Sequence, residues 1–316
     1  MTNIRKLWFI ALVVIATGFF TLACNSDPGD DPIPVVYLAG VNTSVAAYWK
    51  DGVQQILNDA ELSSMAFGIA VSGSNVYLAG LNDGKAAWWK NGDLQTIDAA
   101  DGSFASDIAV SGSNVYVAGL NDGKAAWWEN GVLKTLTDAG SGSYAFGIAV
   151  SGSNVYVAGT NNSTAACWKN GAPETLDGVD IGYGSYANAI AVSGSNVYVA
   201  GMNDDGTAAY WKNGVLQTIT EAEIGDSYAN AIAVSGSKVC VVGGNSTTFF
   251  YWVNGVLKPL NGLHGSSSAD AIAVSGDDVY VAGMNDNTAV YWKNGDLQTI
   301  DAATGDSYGC GITVVK

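Results

Sequence analysis

Arginine occurs once, at Arg5, and histidine once, at His264, in a chain of 316 residues. Of the 13 basic residues, Arg5 and Lys6 lie at the amino terminus, so from Cys24 onward 11 lysines oppose 29 acids and the formal charge is −18. Nucleic-acid binding, which relies on Lys and Arg to neutralise phosphates, has no basis in such a chain. Bidentate recognition of carboxylate or phosphate lacks its guanidinium, and an arginine-cluster sialidase site is excluded with it. One histidine cannot build a histidine metal centre, and His264 sits in a stretch of changing length, where a surface role is expected. Cysteine is scarce too. Cys167, Cys240 and Cys310 fall in different copies of the repeat described below, too dispersed for a disulfide framework, and are expected as buried substitutions. No GxSxG string occupies a strand-to-helix turn and no EF-hand spacing occurs, so neither catalysis nor a cofactor is expected. Calcium held by acid-rich loops is the alternative, because that ion takes oxygen ligands.

The long apolar run is confined to Leu7–Ala23, 17 residues, short for a membrane span. Preceded by Arg5 and Lys6 and followed by small residues, it reads as a secretory signal over residues 1–23. The string Thr21-Leu22-Ala23-Cys24 resembles a bacterial lipobox, with Thr where that pattern usually has Leu. The resemblance implies a lipidated Cys24 at the mature terminus, and an ordinary cleaved signal or an uncleaved anchor are the alternatives. Residues 24–34 then form the lipidated Cys and a flexible linker rich in Pro, Asp and Gly, which cannot bury apolar surface; ten such residues reach at most about 35 Å. The expected location is the bacterial cell envelope, periplasmic or surface-exposed, with the lipid as the membrane contact.

From residue 35 to 316 one motif recurs. VYxAGxN is followed by a Trp and an Asn-Gly or Asp-Gly pair, and its Gly falls at Gly40, Gly80, Gly119, Gly159, Gly201, Gly243 and Gly283, a period of 39 to 42 residues. Within one unit, IAVS at 148–151, VYVAG at 155–159 and AACWK at 165–169 read as strands, Asn170-Gly171 as a hairpin turn, and ETL as a short fourth strand. Four antiparallel strands in about 40 residues make a propeller blade. The repeats begin with a second strand at Val35 and stop with a first strand at Ile312–Val314. The expectation is therefore an all-β, seven-bladed propeller whose first blade is closed by N- and C-terminal strands, leaving no unpaired seam.

The strings IAVSGSNVYVAG at 148–159 and 190–201 resemble NHL-type propeller repeats of bacterial envelope proteins, whereas the third strand's YWKNG departs from them. The resemblance implies that the IAV strand is innermost and the LQTI strand outermost. The seven third-strand Trp residues, Trp49, Trp89, Trp128, Trp168, Trp211, Trp252 and Trp292, are expected to pack between blades, with a row of sugar-stacking platforms as the alternative.

With that strand order the two ends of the ring differ. The first-to-second turns keep a fixed offset of five positions between their flanking Val residues, whereas the fourth-to-first connections run 11 to 14 positions from turn Gly to a recurring Ser. Length variation of this kind marks a binding face. Lys50, Lys90, Lys169, Lys212 and Lys293 flank the uniform turns; Asp83, Asp122, Asp204, Asp205 and Asp286 lie at the variable end. Two rings recur there: Asn42, Asn82, Asn121, Asn161, Asn203, Asn245 and Asn285, and Ser64, Ser103, Ser143, Ser185, Ser227, Ser267 and Ser307. Phe104, Tyr144, Tyr186, Tyr228 and Tyr308 follow the Ser. The Asn and aromatic residues form a candidate ligand ring, the alternative being local turn bonding and gap filling. Phe249 and Phe250, where blade six departs from the repeat, are a candidate partner patch or drift in a duplicated array. The function expected is a monomeric, non-catalytic module engaging a protein or glycan through the acidic variable end, with a structural scaffold of an envelope complex as the alternative.

Overall fold

The computed structural model describes residues 32–179, 184–219, 227–245, 248–300 and 306–316. The expected signal, Cys24 and most of the linker lie outside them. Among the described residues 28 strands, numbered along the chain, form seven antiparallel sheets of four. Blade one has the order β28 (Ser307–Val315), β1 (Val35–Asn42), β2 (Val45–Lys50) and β3 (Val53–Gln55). Val35 pairs with Val315 and Asn42 with Ser307, so both ends of the repeat region share one sheet. The other blades each take four consecutive strands, starting with β4 (Met65–Ser72), β8 (Phe104–Ser111), β12 (Tyr144–Ser151), β16 (Tyr186–Ser193), β20 (Tyr228–Ser235) and β24 (Ser268–Ser275). These first strands and β28 touch one another in a closed circle, which puts them innermost around a central channel.

The turns explain themselves from the residues. Asn170 and Gly171 have φ of 51° and 83°, the pair of positive φ angles that a two-residue type I′ hairpin requires. Asn170 Oδ1 then accepts a hydrogen bond from Val155 N at 2.8 Å, and Asn91, Asn130, Asn213, Asn254 and Asn294 repeat the contact in other blades. Asp51 performs it in blade one through Val36 N. Beside these turns Lys50, Lys90, Lys169, Lys212 and Lys293 lie over the rings of Tyr37, Tyr77, Tyr156, Tyr198 and Tyr280 at 5.5 to 5.6 Å, within cation–π reach.

The period-marking Gly has a different cause. None of the seven has positive φ; instead a Cβ at Gly159 would overlap Tyr144 O, and the other six meet the matching carbonyl of their own inner strand. That carbonyl is thrust forward because every inner strand carries a bulge just past it, between Ala145 and Gly147 in β12 for example. The core lies between blades. All seven third-strand Trp residues are 0 to 1% exposed, and one cluster joins Trp49, Trp292, Ile272 and Ile312 across neighbouring blades. Burial of one such ring is worth roughly 4 to 6 kcal/mol before entropic costs.

Candidate functional site

The connections at the variable end are tied down by the two recurring polar side chains. Asn82 Oδ1 accepts from Glu61 N and its Nδ2 donates to Asp59 O, which clips the incoming connection to the end of the second strand. Asn121, Asn161 and Asn285 take the same place against Ala100 N, Gly140 N and His264 N. Asn203 and Asn245 turn inward on their own loops, bonding Thr207 and Thr248, and Asn42 donates to Gln54. Ser143 Oγ accepts from Ala125 N of the preceding blade at 2.8 Å. Ser64, Ser103, Ser185, Ser227 and Ser307 do likewise, and all six are buried. Ser267 is the exception: it is half-buried and bonds His264 O and Asn285, in the one blade pair where Phe249 takes the place of the small donor residue. The Asn and Ser rings thus hold loop to strand and blade to blade.

The aromatic members of the candidate ring border the channel mouth. Phe104, Tyr144, Tyr228 and Tyr308 are half-buried and Tyr186 is 42% exposed. Phe104 and Tyr144 stack across two blades with centroids 6.4 Å apart. Burial raises the Tyr228 and Tyr308 phenols. Phe249 and Phe250 do not form an open patch: Phe250 is 4% exposed with its ring edge-on to Trp252 at 4.9 Å, and Phe249 is half-buried against the core. Alternation along the strand sends the two rings to opposite faces of blade six, Phe250 into the cluster shared with blade five and Phe249 against the cluster shared with blade seven, which is core packing rather than a partner patch. His264 is exposed. Cys167, Cys240 and Cys310 are free and buried, and desolvation raises all three thiols.

A third ring was not read from the sequence. The bulged residue of each inner strand is Phe67, Ser106, Phe146, Asn188, Asn230, Asp270 or Cys310. Its signal is present, since this position takes five residue types, Phe, Ser, Asn, Asp and Cys, more than any other in the strand, yet only the bulge register reveals that it stands apart from the strand's alternation. Three of these side chains cap a carbonyl on the next blade: Ser106 Oγ donates to Ala145 O at 2.6 Å, Asn188 Nδ2 to Ala229 O at 2.9 Å and Asn230 Nδ2 to Ala269 O at 2.8 Å. Asp107, one residue past its bulge, accepts from Ile108 N and Ile148 N; burial pushes its carboxyl well up against the pull of those two bonds. Asp270 is 9% exposed, and burial pushes its carboxyl up to about 7. No group of three His, Cys, Asp or Glu residues converges as a metal site among the described residues.

No protein-family model matches the chain, and no curated protein matches it. Among solved structures it is similar to the computationally designed Ika8 protein, with a TM-score of 0.55, 21% identity, and coverage of 89% of this chain and 88% of that one. A chain from a nidogen/laminin complex aligns with a TM-score of 0.46 and 12% identity, over 89% of this chain and 98% of that one. The likeness to the designed protein is one of fold, and the chain is a seven-bladed β-propeller.

Proposed function

We propose that this chain is an envelope-anchored, non-catalytic binding module with NHL-like repeats that engages a protein or glycan through the acidic connections at the variable end of the ring. The observation that carries this reading is the division of the two ends. Connections that differ in length bear the exposed acids Asp59, Asp83, Asp98, Asp122, Asp138 and Asp286, while the turns opposite them are uniform and hold Lys over Tyr. Acidic connections clipped by Asn and Ser form a preorganised surface, which lowers the ordering cost of binding. Its charge favours a basic partner and a salt-dependent association rate. Cys24 serves as the lipid anchor in this reading, and the tether leaves from the end that carries the lysines.

Capture from a native envelope extract, followed by titration of the captured partner, tests the reading. Saturable binding is expected to weaken on replacing Asp83, Asp122 and Asp286 together with Lys, and to weaken further with added salt. Binding indifferent to those replacements, with co-purification at one fixed stoichiometry, would instead make the ring a scaffold of an envelope complex.

A further inference from the structure

The central channel opens at the variable end between the first residues of the seven inner strands, and its two sides differ. Over blades two to four those strands begin with Met65, Phe104 and Tyr144, each half-buried. Phe67 and Phe146 follow at the bulges of β4 and β12. Phe104 and Tyr144 stack across the gap between blades three and four at 6.4 Å and 25°, and Tyr144 lies parallel to Phe146 at 5.9 Å. These three rings form one continuous apolar tract. Leu62, in the connection entering blade two, is 79% exposed. Over blades five to seven the bulge positions hold Asn188, Asn230 and Asp270 instead, and blade seven begins with Ser268 rather than a large side chain.

The connections and turns over the apolar side carry six exposed aspartates, Asp59, Asp83, Asp98, Asp101, Asp122 and Asp138, against two lysines, Lys85 and Lys124. Lys85 is already paired with Asp101 at 2.8 Å. The hydroxyls of a sugar would find little to bond here. Asn82, Asn121 and Asn161 accept from Glu61 N, Ala100 N and Gly140 N, and Ser64, Ser103 and Ser143 accept from Ala46 N, Ala86 N and Ala125 N. Amide and hydroxyl groups are thus committed to the loops themselves, which leaves aromatic surface at the mouth and negative charge around it. That combination suits an apolar ring carried on a basic segment, since rings pack on rings and opposite charges meet at the rim. We propose that the channel mouth over blades two to four receives an aromatic side chain from a basic segment of a partner protein, with the ring against Phe104 and Tyr144 and the flanking cations against the aspartates. The inference rests on the variable end being the partner-binding end, and it selects protein over glycan.

The test uses the mature chain and NMR titration with three peptides: Lys-Lys-Trp-Lys-Lys, the same peptide with Ala in place of Trp, and Glu-Glu-Trp-Glu-Glu. The first is expected to bind saturably at low salt and the other two at least about tenfold more weakly. Replacing both Phe104→Ser and Tyr144→Ser should weaken the first peptide by about tenfold or more, whereas Tyr228→Ser, on blade six, should leave it unchanged. Ser268 fills the equivalent position in blade seven, so the strand accommodates Ser there, and a single cooperative unfolding transition checks that the double variant is folded. Equal binding of the Trp and Ala peptides by the parent chain, or undiminished binding by the folded double variant, would overturn the proposal. Saturable binding of chitotetraose that is lost in the double variant would also overturn it, by making the mouth a glycan site. A captured partner weakened by the Asp83, Asp122 and Asp286 replacements but indifferent to the double variant sinks only this inference. Peptide binding as expected with no captured partner sinks only the broader reading.

Discussion

Asp270 shows how one side chain can work against the stability of a repeat whose other copies favour it. Its folded-state value of about 7 lies above the ordinary 3.8, so the native chain holds that proton more tightly than the unfolded chain does. The carboxyl therefore costs nothing below about pH 4, costs more as pH rises to about 7, and reaches a constant penalty of roughly 4 kcal/mol above that. Asp270→Asn is expected to raise the midpoint of urea unfolding at pH 8 and to change it little at pH 4, because Asn can donate to Gly309 O as Asn230 does to Ala269 O. Equal effects at both values would show that ionisation is not the source of the cost. The sequence showed an Asp here; that it is buried and lacks a cation follows from the bulge, which no period of two anticipates.

At the scale of the strand, the recurring Gly and the bulge are two halves of one device. The inner strand must hold its bulge without separating from the second strand, and only a residue lacking Cβ lets the displaced carbonyl come that close. Gly159→Ala should cost about 1 to 3 kcal/mol or more, since backbone must move. Gly152 is the useful contrast, with φ of 59° and open space around a Cβ, so Gly152→Ala pays only for a left-handed backbone, about 1 to 2 kcal/mol. Urea titrations in which Gly152→Ala proved the more damaging would contradict the overlap account. The hairpin turns were legible in the sequence because Asn-Gly has few backbone choices. The role of the motif Gly was not, since its constraint comes from another strand.

The whole ring depends on β28 meeting β1. Val36 lies opposite Val314, the relation that Val76 has to Val71 across an ordinary turn. A circular permutant that joins Lys316 to Val35 through a Ser-Gly turn and opens at Asn170-Gly171 is expected to unfold in one transition near the parent temperature. Deleting Ser307–Lys316 instead exposes the edge of β1 and one side of the Trp49 cluster, and should abolish that single calorimetric transition. A deletion variant that melted as the parent does would mean that blade one closes without its first strand.

Period, blade count and terminal closure were determined by the sequence alone, because each rests on local alternation and turn chemistry that repeat seven times. The packing of Phe249 and Phe250 against the two neighbouring blades, the bonding of the Asn and Ser rings, and the grouping of Asp270, Asn230, Tyr228 and Tyr308 were decided only in the tertiary structure. Those residues are distant along the chain, and it is the closing of blades six, seven and one around a common axis, with a bulge in every inner strand, that brings them together.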